Sequence, residues 1–183
     1  MDWLDEVSER EHRGNQILFR KDSILLQELN KCLREQNHRT VVLWAMALAE
    51  EAVRRLETEY PEEARPRLAL EAARQWAAGK IKMPRAQRCI LDCHAAAKAM
   101  PTAAGAALCH AVGQACGTVH TPGHAIGFPM YELTAIVRMC GVEHCREPVE
   151  ARVAEYLQRL TDWSSRITRG EGSGYEWAAF LRP

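Results

Sequence analysis

From Ala99 to Tyr131 the chain has no Asp, Glu, Lys or Arg, although charged residues make up 26% of the whole. A helix facing solvent does not go this long without a charged side. The run AMPTAAGAALCHAVGQACGTVHTPGHAIGFPMY is instead dominated by Ala, Gly, Cys and Thr, with His110, His120 and His124 set into it. It reads as a central helix, buried on most sides, that turns at Thr121-Pro122-Gly123 and opens another helix. His110, Gln114 and Thr118 interrupt it and its small residues carry little hydrophobicity, so it is no membrane span.

Other absences narrow the class further. The formal net charge is zero, which excludes a strong overall field toward nucleic acid or a membrane surface. Strand-type alternation is almost missing. The opening MDWLDEVSER is acidic and lacks the apolar core of a signal peptide. With seven cysteines, an odd number, in a chain too large to need a disulfide framework, reduced thiols in the cytoplasm are the expectation. There is no Cys-x-x-Cys pair, phosphate loop, dinucleotide fingerprint or Ser-centred elbow.

What is present is helical periodicity. At 183 residues the chain fits one domain that can bury about 70% of its unfolded surface. Its apolar positions and stop signals predict helices over 2–13, 23–36, 41–58, 64–78, 84–99, 102–120, 124–140 and 148–164. Thr40 is the expected N-cap of the third, Pro66 fits the first turn of the fourth, and Pro129 kinks the seventh or delays its start. The fold class is therefore all-α: a compact single-domain bundle of about eight helices around a buried central one. The bundle spans 1–165, and 166–183 form a Gly/Ser hinge and a short tail that docks back or stays disordered.

Charge is uneven along the chain. Residues 1–63 carry 9 basic and 14 acidic side chains, and residues 64–100 carry 8 basic and 2 acidic. Internal ion pairs between the two parts are the expected outcome. Arg65, beside an interhelical loop, is expected to tie helix ends together through carbonyls and carboxylates. Lys80, Lys82, Arg85 and Arg88 have no interleaved aromatics and read as a solvated face rather than a nucleic-acid site.

The residues with chemistry are Cys89, Cys93, His94, Cys109, His110, Cys116, His120 and His124. Cys93 with His94, and Cys109 with His110, are adjacent in sequence. On a helix such neighbours point about 100° apart and cannot form a thiolate–imidazole pair. Cys116 and His120 have the right spacing, but a thiol buried among apolar groups stays protonated and inert. A metal site would draw on Cys93, Cys116, His120 and His124, for which zinc is the natural ion. Against it, cysteine serves as a small apolar residue where helices approach closely. His120 and His124 flank the helix break, where a histidine can bond an exposed carbonyl.

Several runs carry a family resemblance: RTVVLWAMALAEEAV, YPEEARPRLALEAARQWAAGKIKM, RCILDCHAAAKAM, ALCHAVGQACGTVHTPGHAIGFPMYELTAIV and EPVEARVAEYLQRL. Over about residues 20–160 the chain resembles the bacterial "putative immunity protein" family, of the fifth immunity class of polymorphic toxin systems. Arg65-Pro66-Arg67, Trp76-Ala77-x-Gly79, His94-Ala95-Ala96-Ala97, Gly113-Gln114-Ala115 and His120-x-x-x-His124 carry the likeness. The resemblance implies an all-helical cytoplasmic protein that binds and neutralises a cognate toxin. It carries over no catalytic residue and implies no cofactor.

The expectation is thus a non-enzymatic binding protein with a toxin as partner and neither nucleic acid nor membrane. Its contact face is expected in 50–63 or 80–88. The alternative is a helical metal- or ligand-binding protein or enzyme using the histidine and cysteine cluster, with zinc or another metal as cofactor. Candidate ligand-facing residues are His94, His110, Gln114, His120, His124 and Arg65. A homodimer is a third option.

Overall fold

Residues 2–170 and 175–182 are described by the computed structural model. Among them run eight α-helices and no strand. These are α1 Trp3–His12, α2 Gln27–Arg34, α3 His38–Glu59, α4 Arg65–Ala77, α5 Met83–Ala96, α6 Ala103–Gly117, α7 Gly127–Cys140 and α8 Arg146–Thr168. The expected fold class and helix order hold. No helix is long and apolar enough to cross a membrane among the described residues.

Local chemistry sets the boundaries, and it moves some of the expected ones. Asn37, not Thr40, caps α3: its side chain accepts from the Thr40 amide at 2.9 Å. Thr40 consequently lies inside the helix and is fully buried. Thr102 caps α6 by accepting from the Gly105 amide at 3.0 Å. α6 ends at Gly117, short of the expected residue 120, and a 3-10 turn over Pro122–His124 leads into α7. Pro129 delays the start of α7 to Gly127. At that depth the helix asks no bond of its missing N–H.

α6 is the axis of the bundle, packed against α3, α4, α5 and α7. Gly105, Ala107, Leu108, Cys109, Ala111, Val112, Gly113, Ala115 and Cys116 are buried along it. Side chains this short let neighbouring backbones come to the near end of the usual helix spacing of about 8–10 Å. Larger residues fill the outer shell, led by Trp44, Tyr156, Phe19 and Phe128. Trp44 donates its indole N–H to the Tyr156 carbonyl at 3.0 Å, locking α3 to α8.

The tail docks. Ala178 donates its amide to the Ala77 carbonyl at the end of α4 at 2.7 Å, and Trp177, Ala178 and Leu181 are buried. The Phe180 ring lies 5.9 Å from Trp76. α8 continues to Thr168, past the expected boundary at 165. The Gly/Ser stretch 171–174, expected as a hinge, lies outside the described residues.

Charge pairing follows the expected logic in its acidic half. Arg67 reaches from α4 to two carboxylates of α3, Glu57 at 2.7 Å and Glu50 at 3.0 Å. Arg74 adds a bond to Glu50 at 2.9 Å. Hydrogen bonds from Arg67 first, then Arg54 and Arg74, hold the Glu50 carboxyl down to about 2 against the cost of its desolvation. Arg65 makes a local pair with Glu63 at 2.7 Å, so the helix-to-helix tie expected of it belongs to Arg67.

A second network is buried. Arg152 of α8 donates to Glu132 of α7 at 2.9 and 3.1 Å and to Glu155 at 2.6 Å. The Tyr156 hydroxyl donates to the same Glu132 carboxylate. Burial works against the Arg152 charge, but the Glu132 bond and its charge outweigh it and hold Arg152 above its ordinary value. Glu132 is 8% exposed, so removing its partner strands a charge away from water. Arg152→Met should cost about 3–5 kcal/mol, lowering the melting temperature by roughly 6–20 °C. Adding Glu132→Gln should recover most of that loss, because the amide needs no counter-ion and still accepts from Tyr156. Thermal unfolding followed by circular dichroism checks both.

Candidate functional site

His94 sits near the end of α5 and His110 in the middle of α6, and the two Nδ1 atoms meet at 2.9 Å. In a neutral pair at that distance one ring donates and the other accepts. Tyr131 of α7 lies beyond, its ring centroid 5.0 Å from that of His110. Together with Lys98, Arg138 and Gln16 these rings border a cleft of about 510 Å³, floored by Ala103, Ala106 and Ala107 of α6. That volume is in the range that holds a small molecule or a partner's inserted side chains.

Glycine makes the arrangement possible at two places. A Cβ on Gly113 would stand 2.5 Å from His94 Nε2, and one on Gly127 would stand 2.5 Å from Gln114 Oε1. The His94 ring and the Gln114 side chain therefore lie flat against bare backbone. The His124 Nδ1–H donates to Gln114 Oε1 at 3.1 Å. His120 leaves this row: its ring stacks on Trp76, with centroids 6.3 Å apart and planes 20° from parallel.

Desolvation sets the protonation. It holds His94 down to about 4, helped by the nearby His110 and His124, and also lowers His110. Desolvation, then the charge of His120, lowers His124. Burial raises the Tyr131 hydroxyl. At neutral pH the cleft thus presents uncharged imidazoles and an un-ionised phenol, with Lys98 a cation that has no ion pair among the described residues. Arg138 is tied to Glu11 and to the Asn15 carbonyl. Such a surface hydrogen-bonds and stacks.

The thiols face away from this chemistry. Cys93, Cys109 and Cys116 are all buried. Cys93 donates to the Cys109 carbonyl at 3.2 Å. Burial pushes the Cys109 and Cys116 thiols up to about 12 and Cys93 higher still. They are protonated at neutral pH and pack as small apolar groups. His94 and His110 are half-buried beside buried Cys93 and Cys109, which is the divergence expected of adjacent helical residues. Among the described residues no three of His, Cys, Asp and Glu come together in a group that could hold a metal ion. Cys93, Cys116, His120 and His124 form no such set.

The six candidate residues therefore separate. His94 and His110 form one contact, Gln114 and His124 another close by, while His120 joins Trp76 and Arg65 joins Glu63. Tyr131, Lys98, Arg138 and Gln16 were not foreseen. Tyr131 closes the charge-free run, the one available hint, while Gln16 comes from the connection after α1, far off in sequence. The role of bonding a carbonyl at the end of α6 falls to neither His120 nor His124. His38, in the first turn of α3, takes it: its Nε2 lies 2.6 Å from the Thr118 carbonyl.

The all-α bundle thus carries an aromatic-rimmed cleft of neutral imidazoles bordered by two basic side chains, Lys98 and Arg138, above thiols that burial keeps protonated. The chain belongs to the family described as "Imm-5 like putative immunity protein", whose model matches residues 31–159. That match contains α3 to α7 and most of α8, including His94, His110, Gln114, His124 and Tyr131, and leaves out α1 and the docked tail. Comparisons with curated proteins and with solved structures gave no match.

Two outcomes follow from this geometry. Gly113→Ala should destabilise by about 1–3 kcal/mol through overpacking against His94, although alanine is favoured over glycine in a helix by about 1 kcal/mol. Urea unfolding measures it. The second concerns pH. Folding depresses the His94 pKa, so the unfolded chain takes up the proton first as pH falls. The stability that neutral His94 contributes is complete above its unfolded value of about 6.5. It is lost progressively as pH drops toward about 4. His94→Gln should flatten part of that decline, read from urea midpoints at a series of pH values between these two.

Proposed function

We propose that this protein is the immunity partner of a bacterial toxin and neutralises it in the cytoplasm by stoichiometric protein–protein contact, without catalysis of its own. The observation that carries the reading is family membership over residues 31–159. The thiols agree with it, since burial keeps Cys93, Cys109 and Cys116 protonated and without nucleophilic character. An interface of the standard size needs about 800 Å² from each partner. The exposed faces of an eight-helix bundle supply that without any part of the core opening.

The test is rescue and capture in parallel. Cells that express the toxin encoded beside this chain should stop growing and should recover when the chain is co-expressed. The toxin should co-purify with it in a 1:1 ratio. Growth that is not restored, or rescue without a complex, overturns the reading.

A further inference from the structure

The charge pairing leaves a remainder. Arg65, Arg67 and Arg74 are bound to Glu63, Glu57 and Glu50, and Lys80 to Glu176 of the tail. The side chains of Lys82, Arg85, Arg88 and Lys98 form no ion pair or hydrogen bond among the described residues, and all four residues are exposed. They lie on α5 and its immediate flanks, where Asp92 is the one acidic residue of the helix.

α5 is also an edge helix. Its main neighbours are α4 and α6, and Ala86, Cys93 and Ala96 mark its buried side. At 100° per residue the opposite side carries Pro84, Arg88, Leu91 and Ala95. Leu91, at the centre of that side, is 58% exposed, more than any other large hydrophobic residue described. Lys98, just past the helix, also borders the His94–His110 cleft. The short connection between α4 and α5 makes them an antiparallel hairpin. It places Leu68, 52% exposed, at the same end as Leu91.

We propose that the outward face of α5 is where the toxin docks, through an acidic patch of the toxin that surrounds a large apolar side chain. This rests on the immunity reading and adds the surface and the partner's chemistry to it. Arg88 and Lys98 supply the complementary charge beside Leu91, with Arg85 and Lys82 on the flank toward the α4–α5 connection, and Leu91 supplies the desolvated centre that interfaces need. Of the two contact regions expected from sequence, 50–63 has every carboxylate but that of Glu62 engaged by arginines of this same chain, which favours the 80–88 region and its extension to Lys98.

The two components make different kinetic predictions. Charges at an interface rim act on association and are screened by salt, whereas loss of a packed centre acts on dissociation. The probe is the toxin domain encoded beside this chain, carrying an inactivating substitution, in stopped-flow and surface-immobilised binding. Arg85→Glu with Arg88→Glu should slow association roughly tenfold in about 50 mM salt, with the difference shrinking at about 500 mM. Leu91→Asp should speed dissociation at least roughly tenfold. Arg13→Glu, on α1, serves as the control and should change neither. All sites are exposed, so melting curves should match the unchanged chain.

If the unchanged chain binds and rescues while both α5 variants keep its rates, this surface is wrong and the immunity reading stands. If the unchanged chain neither binds nor rescues, both fall. A short nucleic-acid duplex retained through Arg85 and Arg88, with toxin binding unaffected by their reversal, also overturns the proposal.

Discussion

Everything in this bundle depends on how little side chain α6 carries. A helix walled by α3, α4, α5 and α7 meets water only along its first turn and the cleft edge, so a charged residue on its buried length would lack a solvent to reach. Alanine, glycine and cysteine meet that condition and allow close backbone approach. Cysteine adds dispersion contacts without adding a charge at neutral pH, because burial keeps its proton on. The thiols of α6 are best understood through packing, and their reactivity is suppressed by the same burial that makes them useful.

That axis has a polar seam along one edge. Where α5 and α7 come over α6, the small residues give room for rings to lie on backbone. His94 on Gly113 and Gln114 on Gly127 are the two closest cases. The seam costs the protein charged histidines, since desolvation holds His94, His110 and His124 neutral. In return the cleft is chemically quiet at physiological pH and changes character on acidification. Lys98 stands where the seam meets the exposed face of α5, so the two surfaces are continuous.

Much of the fold was legible because helical periodicity, proline and glycine act over a few residues. The charge-free run from Ala99 to Tyr131 announced a buried helix without any knowledge of its neighbours. Failures came where two local rules competed or where the partner was distant. Asn37 and Thr40 both cap helices well, and only the path of the chain into α3 decides between them. The ties made by Arg67 and by Arg152 with Glu132 join residues from different helices, and no spacing rule links them. His38 reached the end of α6 across the bundle, while His120 and His124, adjacent to that end, turned elsewhere. The adjacency of Cys93 to His94 and of Cys109 to His110, by contrast, was decided by helix geometry alone and came out as expected. Among the described residues Cys93, Cys116, His120 and His124 do not come together as a metal-ligand set, since His120 stacks on Trp76 and His124 bonds Gln114.

The His94–His110 contact has one more implication. A neutral imidazole has a single N–H, so the ring that donates through Nδ1 keeps a lone pair at Nε2, and the ring that accepts keeps its hydrogen there. The pair therefore always holds one donor and one acceptor at its two outer nitrogens. Passing the shared hydrogen across 2.9 Å, with a compensating shift at the outer atoms, exchanges them. Because His94 Nε2 packs against the Gly113 backbone, His110 is the ring on which a visitor to the cleft would read that exchange.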